Sequence, residues 1–242
     1  MIGTILNVAG ILVGGLVGLA RHKPLTTASE AYLKVVLGAF TVFYGLRLTW
    51  ISISGSFVEV LKQLTIVILS MIVGRLIGRL LHLQKISNHL GRTARDRISS
   101  VRPDDPERFG KGFQTCAALF CAAPLGLLGS VQEGLSLSQY FYPLAIKALM
   151  DGLAALGFVS LFGPGVLLSA LPVLAVQGTL TLLCARVLEP ILSLYNLVNS
   201  VNAVGGLLVF CVALVMLGLK RIELADYLPS LLVAPLLTLW WH

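Results

Sequence analysis

Two charged side chains in an apolar run are the feature of this sequence most able to do chemistry. Lys147 and Asp151 lie in YPLAIKALMDGLAALGF, the stretch from Tyr142 to Phe158. A helix places both on one face, because residues i and i+4 are neighbours on a helix surface. An ammonium and a carboxylate inside a membrane can bind a charged solute, carry an ion or exchange a proton. The alternative is a permanent internal ion pair that fixes helix register.

Uncharged polar side chains in other apolar segments are candidates to line the same substrate pathway. Asn7 shares a helix face with Gly3, Gly10, Gly14 and Gly18, and small residues on one face let another backbone approach closely. Asn7 therefore either hydrogen-bonds a neighbouring helix or lines a polar cavity. The full set assigned to the pathway is Lys147, Asp151, Gln177, Asn7, Ser130, Gln114, Ser169 and Asn202.

Two prolines inside apolar segments predict breaks that can act as hinges. Pro124 follows FCAA, and Pro172 lies in GVLLSALPVLAVQG. Proline removes a backbone donor and clashes with the preceding turn, so each position predicts a kink or a broken helix. Broken helices line solute sites in many secondary transporters. At Pro124 a plain kink near the membrane surface is the alternative.

Composition places these side chains in a membrane protein. The 242-residue chain is 57% hydrophobic and only 12% charged, with a mean hydropathy of +0.90, whereas soluble domains carry about 25% charged residues. An all-α polytopic bundle is expected, because a helix satisfies its own backbone hydrogen bonds in lipid. The four cysteines form no CxxC pair and the four histidines show no metal-ligand spacing, so neither a metal nor a cofactor is expected.

The chain shows no enzyme signature. It contains no Ser/His/Asp set, no HExxH and no GxxxxGK[ST] to cradle ATP. We therefore expect that it is not an enzyme and that any transport is passive or driven by a gradient.

Eight segments approach the length of about 20 apolar residues that a spanning helix needs. They are Ile2–Ala20, Ala31–Ile51, Val58–Leu81, Gly112–Leu135, Phe141–Phe162, Pro164–Val187, Ala203–Leu219 and Leu228–Trp241. The last is short, so seven spans is the alternative count. The segment Pro190–Asn202 is too polar for a span and predicts an interfacial helix or a broken start to the seventh. We expect one integral membrane domain over 1–242, with an inverted repeat that relates spans one to three to spans six to eight.

The placement of lysine and arginine predicts the orientation. Most basic residues flank one side of the spans, while Arg47, Lys62 and Arg186 fall on the other. The positive-inside rule then places the N-terminus outside and the basic loop 82–111 in the cytoplasm. This loop predicts an amphipathic helix followed by a proline-rich turn. Its charge suits anionic lipid head groups, and the lack of interleaved aromatic residues argues against nucleic acid.

Four ordered motifs resemble a known family over essentially the whole chain. GTILNVAGILVGGLVG, GFQTCAALFCAAPLGLLGSVQEGL, AIKALMDG and GVLLSALPVLAVQG are similar to the bacterial membrane family catalogued as domain of unknown function 554, which includes YqgA-like proteins. The resemblance implies an inner-membrane protein that is loosely described as a possible transporter. The motif positions are Gly3, Thr4, Asn7, Gly112, Phe113, Thr115, Gly129, Ser130, Lys147, Asp151, Gly152, Ser169, Pro172, Gln177 and Gly178. The sequence CAAPLG departs from the unbroken run expected of the family.

The sequence as a whole predicts a secondary transporter or channel for a small polar or charged solute in the bacterial inner membrane. An anionic or zwitterionic solute suits a Lys–Asp pair, because each charge of the solute finds an opposite charge. The alternative is a non-transporting scaffold or sensor that docks a partner through the basic loop 82–111. The glycine faces also permit a homo-oligomer.

Overall fold

Helices make up all the regular structure of the part of the chain that the computed structural model describes. That part comprises residues 1–20, 26–102, 105–135 and 141–241, without the side chain of Thr27. The helices are α1 (Ile2–Ala20), α2 (Thr27–Ser52), α3 (Phe57–Leu80), α4 (Leu83–Ser100), α5 (Arg108–Ala122), α6 (Pro124–Leu135), α7 (Tyr142–Phe162), α8 (Gly165–Leu168), α9 (Ala170–Leu183), a π-helical turn (Cys184–Leu188), α10 (Glu189–Leu194), α11 (Val198–Met216), α12 (Leu224–Tyr227) and α13 (Ser230–Trp240).

Six of the described helical segments are long and apolar enough to cross a membrane. They are α1, α2, α3, α7, the run Gly165–Leu194 and α11, and the bent pair α5–α6 makes a seventh if it counts as one span. The all-α polytopic fold predicted from composition is confirmed. The predicted eighth span is a shorter apolar helix, Leu224–Trp240.

The boundary between the sixth and seventh spans differs from the prediction. The sixth continues through the π-helical turn and α10 to Leu194, and the seventh begins at Val198 instead of Ala203. The polar segment Pro190–Asn202 is therefore divided between two helix ends. Asn196 lies in the turn with φ of 56°, a left-handed conformation that asparagine tolerates better than most residues. The polar residues of this segment correctly indicated a turn between the two spans. They did not show where each helix ends, because helix ends at a membrane surface also carry polar residues.

The basic loop contains the predicted helix. This helix, α4, runs over Leu83–Ser100, and Ala94 is its buried residue while most of its basic side chains are exposed. The apolar residues Ile98 and Val101 pack against a buried cluster of Ile11, Cys116, Phe120, Ala155, Val159, Phe162, Val166, Ala170 and Val173.

The chain is divided into two compact units that alternate along the sequence. Unit 1 consists of Met1–Ala31 and Ser87–Leu183, and unit 2 consists of Tyr32–Ile86 and Cys184–His242. The single membrane domain and the inverted repeat stay predictions.

Glycines set the closest helix contact of unit 1, between α1 and α7. Gly10 lies against the backbone of Ala148, and Gly14 lies against that of Gly152. A Cβ atom on Gly152 would be 2.7 Å from the carbonyl oxygen of Gly10. The paired positions rise together along both helices, so α1 and α7 are parallel. The glycine face predicted from sequence is thus a packing face.

In unit 2, glycines likewise allow close backbone contact, here between antiparallel helices. In α2 and α11, a Cβ on Gly45 would be 2.7 Å from the carbonyl oxygen of Gly206. One turn along α2, the hydroxyl of Thr49 donates to the carbonyl of Ala203 at 3.1 Å. The helix α3 packs on α12 and α13 through Gly74 and Gly78.

The α1–α7 contact predicts opposite effects for two alanine substitutions in α7. Gly152→Ala should destabilise the protein by about 1–3 kcal/mol, because the added methyl overlaps the α1 backbone. Gly157→Ala is the matched control, since a Cβ there meets no atom within 4 Å, and it should be neutral or stabilising by up to about 1 kcal/mol. Thermal unfolding in detergent measures both, and equal effects would contradict this packing.

Candidate functional site

The Lys147–Asp151 pair is buried inside unit 1. Lys147 is 1% exposed and Asp151 is 7% exposed, and the lysine ammonium donates to Oδ2 of the aspartate. Both side chains lie on α7, which starts at Tyr142 with Pro143 in its first turn, a position that favours proline. Desolvation of two charges costs several kcal/mol per ion, and their mutual attraction offsets it only when the geometry is good.

The break at Pro124 provides the surroundings of Lys147. The helices α5 and α6 meet there at a bend of 55°. Phe120 in the last turn of α5 has its ring centroid 5.9 Å from Lys147 Nζ, within the range of a cation–π contact. Gly126 in the first turn of α6 leaves room for the lysine stem, because a Cβ there would be 2.8 Å from Lys147 Cε. The predicted break is present, and it lies at the charged pair.

Two buried amides complete this site. Asn7 of α1 donates through Nδ2 to Oε1 of Gln177 of α9 at 3.1 Å. The Asn7 side chain is also close enough to the Asp151 carboxylate to interact with it. Neither Asn7 Oδ1 nor Gln177 Nε2 has a hydrogen-bond partner within the described residues. One acceptor and one donor are therefore unused beside a buried ion pair. We call Asn7, Lys147, Asp151 and Gln177 the polar cluster.

The other predicted pathway residues of unit 1 have different surroundings. Ser130 is fully buried on α6, on the same face as Gly126, and its hydroxyl has no partner in the described chain. Ser169 donates its hydroxyl to the carbonyl of Val166 at 2.6 Å and is satisfied locally. Gln114 does not join the cluster: its side chain is exposed and accepts from Arg97 Nη1 at 2.9 Å. Gln114 therefore lies on the outer face of α5, and its assignment to the pathway stays a prediction that the polar cluster does not support.

The last two predicted site residues, Asn202 and Pro172, lie outside the polar cluster. Asn202 is buried in α11 and belongs to unit 2. Pro172 lies in the first turn of α9, where its missing N–H costs little, and the chain breaks before it, at Ser169 between α8 and α9. Pro172 thus stands at the start of a helix, and the run Gly165–Leu194 counts as one span.

Glu133 is a buried polar residue of α6 that the predicted site omitted. Its Oε1 accepts the backbone N–H of Gly3 at 2.5 Å, and its Oε2 accepts the N–H and hydroxyl of Thr4 at 3.3 and 3.0 Å. The Thr4 hydroxyl also lies 3.4 Å from that of Thr181. The carboxylate thus satisfies the positive N-terminal end of α1. A single acid within a long apolar stretch was the available signal, because such a residue needs a partner inside the protein.

Within the ranges described, no group of three or more His, Cys, Asp or Glu side chains is placed to hold a metal ion.

Comparisons with known proteins place the chain among membrane proteins. The model of the family described as "Protein of unknown function (DUF554)" matches residues 2–239. "Uncharacterized membrane protein YdfK" of Bacillus subtilis is 28% identical over 242 residues, which is all of this chain and 97% of the relative. "Uncharacterized protein YqgA" of Escherichia coli is 27% identical over 243 residues, again the whole chain and 97% of the relative. No solved structure gives a significant match.

The contacts of Glu133 predict a strong stabilising role at the end of α1. Glu133→Gln keeps the shape but removes the charge and one acceptor, and it should destabilise the protein by about 1.5–3 kcal/mol. Hydrogen exchange should rise at the N–H groups of Gly3 and Thr4. Glu59→Gln is the matched control, because Glu59 accepts from the backbone N–H of Ser56 in an exposed capping box. Equal thermal destabilisation by the two changes would contradict the role of burial.

Proposed function

The chain belongs to the DUF554 family, and from its buried polar cluster we propose that it is a secondary transporter or channel for a small polar or charged solute. The observation that carries the proposal is the Lys147–Asp151 pair, buried in a multi-pass membrane protein beside an unused acceptor and an unused donor.

The energetics favour a working role over a purely structural one. Apolar side chains of similar volume often stabilise a buried position as well as an ion pair does. Each buried donor or acceptor without a partner costs a further 1–3 kcal/mol or so. Here the buried ion pair and the unpaired amide atoms lie on three helices, next to the broken helix α5–α6. Binding sites for solutes in secondary transporters have the same arrangement.

The cluster suits a zwitterionic solute such as a small amino acid. Its carboxylate would bind the Lys147 ammonium and its ammonium would bind Asp151. Asn7 Oδ1 would accept a hydrogen bond, and Gln177 Nε2 would donate one. After release, Lys147 and Asp151 pair again, so the empty protein never holds two unpaired charges in lipid. An anionic solute would use Lys147 in the same way.

The proposal includes a location and an orientation. The protein would lie in the bacterial inner membrane with its N-terminus outside and α4 in the cytoplasm, following the bias of basic residues. The exposed side chains of Lys85, Arg92 and Arg95 on α4 would contact anionic lipid head groups. We also propose that the protein is not an enzyme, does not bind nucleic acid and can form a homo-oligomer.

The exposed basic surface of α4 supports a second candidate function. In a scaffold or sensor, Lys85, Arg92 and Arg95 would dock an acidic partner, and the ion pair of α7 would only fix helix packing. In that case substitution of the ion pair of α7 would change the stability of the protein, and the protein would show no transport to lose.

Three variants separate transport from packing. Lys147→Met and Asp151→Asn should each destabilise the protein by roughly 3–5 kcal/mol, because each leaves one buried charge without its partner. The double variant Lys147→Met/Asp151→Asn should recover most of that stability and still lack transport. The measurements are thermal unfolding, and uptake by proteoliposomes of a panel of labelled amino acids, carboxylates and amines.

Asp105→Asn is the control for loss of an ion pair. Lys111 Nζ donates to Asp105 Oδ2 at 2.7 Å, and this hydrogen bond lowers the pKa of Asp105 from its ordinary value. The pair lies outside the polar cluster, so this change should leave uptake intact. Uptake by the double variant at the wild-type rate would refute the transport site. Replacement of Lys85, Arg92 and Arg95 by glutamine tests the scaffold function. The scaffold requires that cells with this variant behave like cells that lack the protein, while uptake by proteoliposomes is unchanged.

A further inference from the structure

A partly open polar cavity of about 140 Å³ lies in unit 2, where the ends of four helices meet and where the lining residues Asn196 and Asn199 are exposed. Its polar lining includes Ser52 of α2, Gln63 of α3, Asn199 and Ser200 of α11, and Thr238 of α13. A water molecule needs about 10–15 Å³ of such space, so the cavity can hold a small solute with part of its hydration shell. The lining contains no charged side chain.

The N-terminus of α11 forms one wall of this cavity. The helix is 19 residues long, and Leu197 at its N-cap provides no side-chain hydrogen bond. The N–H groups of Ser200 and Val201 bond to the carbonyl of Leu197 at 3.2 and 3.4 Å. Those of Val198 and Asn199 have no acceptor within the described residues. The positive end of the helix dipole therefore meets the cavity without an acid to balance it.

Ser52 provides a second and independent donor. It is only 5% exposed, it lines the cavity, and its hydroxyl makes no hydrogen bond to the described part of the chain. The other hydroxyls of the lining are occupied: Ser200 donates to Leu197 at 2.7 Å and Thr238 donates to Ala234 at 2.9 Å. The Ser52 hydroxyl is accessible from the cavity and is free to donate to a solute there.

We propose that this cavity is a binding site for a small monovalent anion, of the class of chloride, nitrate or formate. The free backbone N–H of Asn199 and the Ser52 hydroxyl donate to it, and the helix end supplies about half a positive charge. The absence of lysine and arginine from the lining disfavours multivalent anions, and the absence of acids disfavours cations. The site lies within unit 2 and does not depend on the transport role proposed for Lys147 and Asp151.

Chloride magnetic resonance on the purified full-length protein in detergent tests the site. Bound chloride broadens the chloride line, excess nitrate should remove this broadening by competition, and glycerol should not. Asn199→Asp should abolish the broadening, because a carboxylate in the first turn of α11 takes the place of the anion. The same change should preserve thermal stability, since an acid there is favourable to the helix.

Two more variants make the test specific. Ser52→Ala should weaken chloride binding by removing one donor. Thr26→Asp adds the same charge where Thr26 Oγ1 accepts the N–H of Ser29 at the start of α2, and it should leave the broadening unchanged. If Asn199→Asp does not fold, Ser52→Ala decides alone.

Four results would overturn the proposal. They are no broadening with the wild-type protein, full broadening with Asn199→Asp or with Ser52→Ala, an equal loss with Thr26→Asp, and displacement by glycerol. The last result would assign the cavity to an uncharged polar solute.

Discussion

The parallel contact of α1 with α7 is the interaction on which the rest of unit 1 depends. In a membrane there is little hydrophobic gain when two apolar helices associate, so close van der Waals packing and polar contacts must hold them together. Gly10, Gly14 and Gly152 allow the two backbones to approach until their atoms touch. Only at this distance does Asn7 of α1 come close to Asp151 of α7. The packing of apolar helices therefore positions the charged chemistry.

Two sets of buried polar groups in unit 1 differ in how fully they are hydrogen-bonded, and the difference bears on function. Glu133 uses both carboxylate oxygens on the first turn of α1, as a structural cap should. Lys147 and Asp151 bond to each other, and the neighbouring amides of Asn7 and Gln177 use only part of their capacity. A saturated group resists change because any movement loses hydrogen bonds. A partly saturated cluster has bonds to gain, and a solute can supply them.

Sequence reasoning found the elements more reliably than the faces. Apolar length gave the spans, and spacing placed Lys147 and Asp151 on one face of α7, as the structure confirms. Gln114 lies outside the polar cluster, because a short polar signal on α5 does not tell which side of the helix faces the protein. Glu133 was missed because its partners are backbone N–H groups 129 and 130 residues away in the chain, which no local pattern records.

The break at Pro124 solves a geometrical problem of the site. On a straight helix, Phe120 and Gly126 would be about 9 Å apart along the axis and on different faces, so Lys147 could not meet both. The 55° bend between α5 and α6 brings both residues to the lysine. If the proposed transport role holds, rotation of α6 about Pro124 would change the contacts of Lys147 at both ends of the break. That motion would couple the shape of unit 1 to whether Lys147 binds Asp151 or a solute.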